Sequence, residues 1–500
     1  MEHRLHPWSW LFVLVQQLRQ FVVPLAALVF AGQRSSDDGG WALWGPLIGV
    51  GVLVVVSILQ YFTYRYRIGE DAIQVRSGLF QRNQRQIPFT RIHNVALHQS
   101  LLHRLFKVAE VRLEAAGGNK PEAQMRVLGL DQALALEQLL RHHGEAPQAP
   151  TGATTGAGEA LPAPAQEQLL ALDTAEVVRL GLVSNRGMLV VAAGVGVLFQ
   201  AFPEKAAVGM IQRFFHEAVG YAGHLDLGWL GMASATLALL GLAVFVLRLL
   251  SVALALAQYH GFRLVCTGGR LLVERGLLAR ARSSVSPRRI QAWFLQETLL
   301  HRWLGRRSLR IDTATGGGDN DPRKLRELAP IATPQHCDQL IARLLPGSQW
   351  PPPGWQPLPR GGAAVRLFAR TLPWLALAGL ALAWQFGPWA GLVLLWLPLS
   401  AYASWRQAGR LGYALDERLV AVRGGWWSRW WRFAEVDKLQ ALGLHRSPLD
   451  RCLGTATVWL DTAGASALWP PLRVRYLPQD QARALVEELA RMLARRRQVW

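Results

Sequence analysis

The sequence is poor in cysteine and in charge. Its 500 residues include only three cysteines, Cys266, Cys337 and Cys452, and these lie too far apart to suggest a disulfide framework. Charged residues make up 18% of the chain, against about a quarter in average soluble domains. Because 51% of the residues are hydrophobic, disorder is excluded for most of the chain.

Acidic residues are scarcer than basic ones. The 34 Asp and Glu face 54 Lys and Arg, which gives a formal net charge of +20, and the chain also has 21 Trp. A basic, tryptophan-rich chain fits either nucleic-acid binding or a membrane surface, and the placement of the charges distinguishes the two.

Charge is missing from long apolar stretches that could each cross about 30 Å of hydrocarbon as a helix. These stretches predict six transmembrane helices in three hairpins, at residues 10–31, 41–62, 187–203, 228–259 and, on either side of a turn at 385–388, within 371–405. The positive excess lies in the three long segments that follow the hairpins, which predicts that these segments and both termini are cytoplasmic in a bacterial inner membrane.

The soluble segments are copies of one unit. Residues 64–118 and 262–316 align without gaps at a shift of 198, and a third copy follows at a shift of 347 from the first. Gly78, Gly276 and Gly425 coincide, and the acids Glu114, Asp312 and Asp461 recur at strand ends, where turn hydrogen bonds are expected. His103 and His301 also coincide, in a segment that predicts a capped helical turn, and Asp450 replaces them in the third copy.

Each copy alternates as short β-strands and ends in an amphipathic helix, at 131–142, 334–345 and 479–497. The predicted fold class is therefore an α+β membrane protein, in which six transmembrane helices form three hairpins and each hairpin precedes a β domain with a C-terminal helix. The predicted segments are hairpin 1–61, domain 62–143, linker 144–166, hairpin 167–257 with an outer amphipathic loop, domain 258–345, linker 346–364, hairpin 365–405 and domain 406–500. Both linkers are rich in Pro or Gly and predict flexible tethers.

This triple arrangement, with a Gly-centred turn in each copy and the Leu5-His6-Pro7 entry before the first span, resembles the bacterial pleckstrin-homology (PH) membrane proteins of the YdbT type. The resemblance implies a PH-like fold for the soluble units. It also implies a smaller membrane protein with one PH-like domain as partner, and it supplies no catalytic residues.

Basic residues cluster near the strand-to-strand turns, where PH-like domains elsewhere engage head groups. Facing an anionic leaflet, they are candidate lipid-binding residues, and the alternative is a solvated basic face that only reflects topology. The candidates are Arg82, Arg85, Arg91, Arg280, Arg282, Arg288, Arg289, Arg429, Arg432 and Lys438.

Polar residues inside the apolar stretches offer a second hypothesis. Arg19, with Gln16 and Gln20, lies inside the first predicted span and could pack within the bundle or line a polar path. Arg248, near the end of the fourth span, is expected to extend towards the membrane surface.

No motif predicts a catalytic centre, a metal site or a cofactor, so the sequence predicts a protein that is not an enzyme. The leading interpretation is an inner-membrane scaffold that displays three PH-like domains to anionic lipid and to a membrane partner protein. The alternative is a transport or lipid-handling protein with a polar path at Arg19. Nucleic acid is not an expected partner, because a basic face with stacking aromatics is only hinted at by Trp426–Trp431.

Overall fold

The structure is a computed structural model of the chain. It describes residues 2–4, 7, 9–15, 17–18, 21, 41–69, 71–78, 82–89, 92–115, 123–144, 167–202, 205–210, 212–213, 217, 228–313, 325–464 and 470–495.

Three units of similar build follow one another along the chain. Unit one comprises β1 (Glu2–Arg4), α1 (Trp41–Thr63), β2 (Arg65–Ile68), β3 (Ala72–Ser77), β4 (Asn83–Pro88), β5 (Ile92–Gln99), α2 (Leu101–Leu105), β6 (Val108–Ala115), β7 (Ala123–Gly129) and α3 (Leu130–Gly144). Unit two comprises β8 (Glu167–Ala171), α4 (Thr174–Val183), α5 (Arg186–Ala201), α6 (Gly228–Tyr259), β9 (Arg263–Thr267), β10 (Arg270–Arg275), β11 (Arg280–Val285), β12 (Ile290–Glu297), α7 (Leu299–Trp303), β13 (Arg307–Thr313), β14 (Glu327–Ala332) and α8 (Pro334–Leu344).

Unit three repeats the order with a shorter first strand. It comprises β15 (Gln356–Pro357), α9 (Arg360–Phe386), a 3₁₀ segment (Gly387–Leu395), α10 (Trp396–Ala408), β16 (Gly412–Leu415), β17 (Leu419–Gly424), β18 (Arg429–Glu435), β19 (Leu439–His445), α11 (Pro448–Cys452), β20 (Thr455–Thr462), β21 (Arg473–Pro478) and α12 (Gln479–Arg495). The mixed α/β character and the terminal helices agree with the prediction.

Each hairpin segment is inserted within a sheet. The strand before the hairpin pairs antiparallel with the strand after it: β1 with β2, β8 with β9, and β15 with β16. The predicted hairpin segments 1–61 and 167–257 therefore each begin with a strand of the neighbouring β unit. Pairing at both ends of the insertion fixes the entry and exit of the apolar helices against the sheet.

Strand pairing also joins consecutive units. At the first junction, β5 of unit one pairs antiparallel with β11 of unit two, and Gln99 lies opposite Arg280. At the second junction, β12 of unit two pairs with β18 of unit three, and Glu297 lies opposite Arg429. Each junction gives a seven-stranded sheet that contains strands of two consecutive units. The strand orders are β7-β6-β5-β11-β10-β9-β8 and β14-β13-β12-β18-β17-β16-β15.

The hydrophobic core follows this bridging. One cluster of buried side chains continues from unit two into unit three, with Trp293 of β12 stacked parallel to Phe433 of β18 at a centroid distance of 6.0 Å. Along β12, the four consecutive residues Ala292, Trp293, Phe294 and Leu295 are all buried. Continuous burial is expected for a strand covered on both faces.

The helical turn that follows β5, β12 or β19 in each unit is capped by a hydroxyl side chain. The hydroxyls of Ser100, Thr298 and Ser447 accept from backbone N–H groups at the third position of their turns. Nδ1 of His103 lies 2.6 Å from the Ser100 hydroxyl and Nδ1 of His301 lies 2.8 Å from the Thr298 hydroxyl. This is the capped turn that the sequence predicts, and it gives the recurring histidine a structural role.

The described residues contain fewer candidate membrane-spanning helices than the six predicted for the chain. In the described part of the chain two helices are long and apolar enough to cross a membrane, Thr236–Tyr259 and Arg360–Trp384, and α4 with α5 makes a third only if this pair, bent by 55°, counts as one span. The apolar part of α1 is shorter, and α10 has 13 residues, which is about 20 Å of helix. The six-span count is therefore not confirmed, and most of the first predicted span falls outside the described residues.

The bend between α4 and α5 has a specific partner. The Arg248 guanidinium donates to the carbonyl oxygens of Leu182 and Ser184, at 3.0 and 3.1 Å. These carbonyls lie at the end of α4, where intrahelical partners are missing. Arg248 therefore caps a helix break, a role that the sequence did not predict, and its extension towards the membrane surface stays a prediction.

The second predicted linker, 346–364, is packed and not a flexible tether. The Trp350 ring stacks on Phe433 at 4.0 Å, and its indole N–H donates to Asp338 at 2.9 Å. The Arg423 guanidinium lies 4.6 Å from the Trp355 ring centroid. The Pro and Gly content predicted flexibility, but the contacts of two partly buried aromatic rings hold this segment on the sheet.

Candidate functional site

The predicted lipid-binding residues are dispersed by the fold. Arg82 and Arg85 lie exposed in and before β4, whereas Arg91 falls outside the described residues, as do Gln16, Arg19 and Gln20. The candidates of units two and three lie instead on strands β11 and β18 or in the 3₁₀ turns that follow them, at or next to the junctions. Sequence reasoning placed them at free turns because strand pairing between units leaves no mark on the composition.

Arg432 is the clearest departure. It is fully buried in β18 and its guanidinium pairs with the carboxylate of Asp312 on β13, across the second junction. Burial lowers the pKa of Arg432, although Asp312 favours the charged form. Arg432 is therefore a junction residue and has no surface with which to contact lipid, and Asp312 binds this arginine where a turn hydrogen bond was expected.

Other candidates also have protein partners. Arg282 pairs with Glu274 on the neighbouring strand at 3.1 Å, and Lys438 donates to the backbone carbonyl of Arg288 at 2.7 Å. Arg289 is half-buried, and burial together with nearby Arg270 lowers its pKa to about 10. Arg280 and Arg288 remain exposed.

A different set of arginines converges at the second junction. We call it the arginine pocket, a cavity of about 240 Å³ lined by Arg302, Arg360, Trp405, Arg406, Gly409, Arg410, Trp426 and Arg429. Of these residues, only Arg429 was among the predicted lipid contacts. Five guanidinium groups from both units face one small cavity.

Each wall of the arginine pocket comes from a different element. Arg302 belongs to α7 of unit two, Arg360 begins α9, and Arg406 and Arg410 lie at and just beyond the end of α10. Arg429 starts β18, the strand that forms the junction. Because α9 contains one of the two candidate membrane spans, the pocket lies where that helix emerges from its apolar stretch.

Negative charge in the arginine pocket is scarce. Glu297, at the end of β12, lies 3.8 Å from Arg429 and 4.0 Å from Arg302, and it also pairs with Arg307 at 3.2 Å. Within the described ranges, no carboxylate lies within salt-bridge distance of Arg360, Arg406 or Arg410. The single carboxylate cannot neutralise the group.

The pKa of Arg410 reflects this excess of positive charge. Burial lowers the pKa of Arg410, and the neighbouring Arg429, Arg302 and Arg423 lower it further, while only Glu297 opposes them. Mutual repulsion of this kind is relieved when an anion binds among the charges. The pocket is thus prepared for a phosphate or carboxylate group.

Aromatic side chains surround the arginine pocket. The Arg360 guanidinium lies 6.0 Å from the ring of Trp405, and Tyr402 meets Trp426 edge to face at 5.7 Å. Trp427, beside Trp426 at 5.1 Å, leaves 60% of its surface exposed. Tryptophan and tyrosine favour the membrane–water interface, because one end of each ring is apolar and the other polar.

Part of this site could have been found in the sequence. Trp405 ends the last apolar stretch, and Arg406 and Arg410 follow it at the i, i+4 spacing that is typical of one helix face. Arg360 lies 45 residues before Trp405 in the chain and Arg302 lies 103 residues before it, so only folding brings these two arginines to the site. The first junction has a larger cavity of about 470 Å³, lined in part by Arg263, Arg275, Arg280 and Arg282.

Comparison with known proteins places the three units in one family. The family model of the bacterial PH domain matches residues 13–143, 220–336 and 366–493. The UPF0699 transmembrane protein YdbT of Bacillus subtilis (strain 168) is 22% identical over 425 residues, which are 81% of this chain and 82% of the relative. No solved structure matches the chain. The predicted resemblance and the triple repeat are confirmed.

Proposed function

The chain belongs to the bacterial PH domain family, and we propose that it is an integral membrane scaffold that holds anionic lipid in the arginine pocket at its second junction. The observation that carries this proposal is the convergence of Arg302, Arg360, Arg406, Arg410 and Arg429 at the end of a candidate membrane span. A lipid phosphate supplies the negative charge that the protein itself lacks there.

The proposed topology is that of three hairpins with all three PH-like units and both termini in the cytoplasm. The basic excess of the long segments supports this orientation, because positive residues near span ends are retained on the cytoplasmic side. The relative in Bacillus subtilis is a transmembrane protein by name, which supports a membrane location for this chain.

The proposed mechanism is attachment, with no catalytic step. The apolar helices hold the units at the membrane surface, so a weak contact between the arginine pocket and a head group gains from high effective concentration. The exposed Arg82, Arg280 and Arg288 add longer-range attraction to an anionic surface. The remaining faces are available to a partner, for which a smaller membrane protein with one PH-like domain is the proposed candidate.

Binding of a short-chain phosphatidylglycerol to the purified full-length protein in neutral detergent tests the lipid contact, with phosphatidylcholine of the same chain length as the neutral comparison. The pocket variant is the double substitution Arg406→Gln with Arg410→Gln. The matched control is Arg483→Gln with Arg495→Gln, which removes the same charge from exposed positions of α12.

The pocket variant is expected to lose about 2 kcal/mol, roughly 30-fold in affinity for phosphatidylglycerol, while the control changes less than about twofold. Equal losses in the two variants would mean that only net charge matters. Equal binding of the two lipids to the unmodified protein would remove the proposal altogether.

A further inference from the structure

The two junctions share one rule of assembly. In each, the first strand of a unit's second sheet pairs antiparallel with the last strand of the next unit's first sheet, β5 with β11 and β12 with β18. The registers also coincide: Gln99 opposite Arg280 and Glu297 opposite Arg429 are equivalent pairs at the repeat shift. The joining strands therefore make the same type of contact, in the same register, at both junctions.

Within the described residues, unit one and unit three each leave one strand of this contact type without a partner at its outer edge. β4 is the last strand of unit one's first sheet and is equivalent to β11 and β18, while β19 begins unit three's second sheet and is equivalent to β5 and β12. Among the described residues, β4 is paired with β3 alone and β19 with β20 alone. Residues 83–86 of β4 and 440, 441, 444 and 445 of β19 are exposed.

The outer strands present complementary side chains. Arg85 occupies the position of Arg432, and Asp461 occupies that of Asp312, the two residues whose buried ion pair crosses the second junction. Asp461 and Leu444 are exposed beside the β19 edge, and Leu444 leaves 40% of its surface to solvent. Bringing β4 against β19 in the junction register sets Arg85 towards Asp461 and places Gln84 opposite Leu444.

We propose that β19 of one copy pairs antiparallel with β4 of a second copy, which continues the junction rule from one molecule to the next. Such a contact joins two different surfaces, so it generates a ring where the rotation closes and a linear array where it does not. An exposed strand edge is a template for this kind of pairing, since its backbone groups can extend the ladder.

One difference makes this contact weaker than the internal ones. Arg446 occupies the position of Glu297, so the new pairing sets it opposite Arg82, where the second junction has Glu297 opposite Arg429. Like charges directly opposite each other destabilise a strand pair. Assembly is therefore reversible and depends on protein density in the membrane.

Disulfide formation between full-length molecules in proteoliposomes tests the register. All variants carry Cys452→Ser, because Cys452 is exposed. Gln84→Cys in one population is mixed with Leu444→Cys in another and oxidised mildly. The off-register control pairs Gln84→Cys with Ala441→Cys, three residues or about 10 Å away along β19. Leu295→Cys with Trp431→Cys in one chain is the positive control, since these residues are opposite each other at the second junction.

The in-register mixture is expected to give at least fivefold more covalent dimer than the off-register mixture. Asp461→Arg should lower the dimer yield at least threefold, Arg85→Asp in the other population should restore it, and Arg446→Glu should raise it. Equal yields in and off register overturn the proposal. So does a Leu444→Cys variant that, oxidised in native membranes, forms a disulfide with a different protein and none with Gln84→Cys.

Discussion

The first and second junctions have the same backbone pairing and different side chains. At the first, Gln99 faces Arg280, and Ser283 occupies the position that Arg432 holds at the second. There, Arg104 donates to the Leu277 carbonyl at 2.7 Å, whereas its equivalent Arg302 faces the arginine pocket. Leu277 and Gly261 stand where the second junction has Trp426 and Arg410.

This difference separates assembly from binding. Backbone hydrogen bonds join the units at both junctions, so the side chains there are free to diverge as long as the strands remain compatible. At the second junction, the side chains form a buried ion pair and a pocket of unbalanced positive charge. Variants that change one junction and leave the other intact test this distinction.

The largest effect is expected from Asp312→Ala. It leaves the Arg432 guanidinium buried without its partner, which costs about 3–5 kcal/mol and lowers the apparent Tm of the purified protein in detergent. Ser283→Ala, at the first-junction position equivalent to Arg432, should cost about 1 kcal/mol or less.

Arg432→Met combined with Asp312→Leu is the matched control, because it removes both charges and keeps the volume filled. This double variant should unfold near the temperature of the unmodified protein. A double variant as unstable as Asp312→Ala would show that volume, and not the unpaired charge, governs the second junction.

The next effect concerns the turn that carries Arg302. Burial, reinforced by Arg310, lowers the pKa of His301 to about 4, below its usual value of 6.5. The unfolded chain therefore takes up a proton first, and stability present above pH 6.5 is lost as the pH falls towards 4, by up to about 3 kcal/mol. Thermal unfolding of the unmodified protein and of His301→Gln, recorded from pH 7 to 4.5, should show a smaller pH dependence in the variant.

Unit three supplies the contrast, since Asp450 replaces the histidine. Burial raises the pKa of Asp450, but hydrogen bonds from Ser447 and Thr455 and the charge of Arg366 outweigh it and lower the pKa below the usual value of 3.8. Its contribution is lost only as the pH falls below that value. An Asp450→Asn variant that changes the profile between pH 6.5 and 4.5 would contradict this assignment.

An intermediate and equal effect is expected from Gly276→Ala and Gly425→Ala. Both glycines have positive φ, +113° and +84°, and an added Cβ would lie 1.9 Å from the Ala279 carbonyl oxygen or 1.8 Å from that of Ser428. Each substitution should cost about 2 kcal/mol by thermal unfolding. Clearly unequal losses would show that the two turns before the joining strands are not equivalent.

The smallest effect is the most specific to the arginine pocket. Arg410→Gln removes one of several repelling charges, so in neutral detergent it should raise stability by about 0.5 kcal/mol while abolishing most of the stabilisation that phosphatidylglycerol provides. Arg282→Gln, which breaks the pair with Glu274 at the first junction, should do neither. A loss of stability in Arg410→Gln without lipid would contradict the proposed charge imbalance.

Local features of the fold could be predicted because they leave local signals. The glycine turns, the capped helical turn at Ser100 or Thr298, and the terminal helices follow from residue type and hydrophobic period over a few positions. The prediction of a flexible second linker was wrong, because Pro and Gly content gives no information on the side chains against which Trp350 and Trp355 pack. The helix break held by Arg248 was missed because its partners are backbone carbonyls 64 and 66 residues earlier in the chain.

The sequence by itself determined the number of units, their internal order and the segregation of charge from apolar stretches, since repetition and hydropathy are properties of the chain. Only the tertiary structure decided which units share a sheet, that Arg432 is buried against Asp312, and that arginines from two units meet in one pocket. The physical reason is that strand pairing uses backbone groups that every residue carries. Packing therefore decides which strand edges pair, and that pairing decides which charged side chains come together.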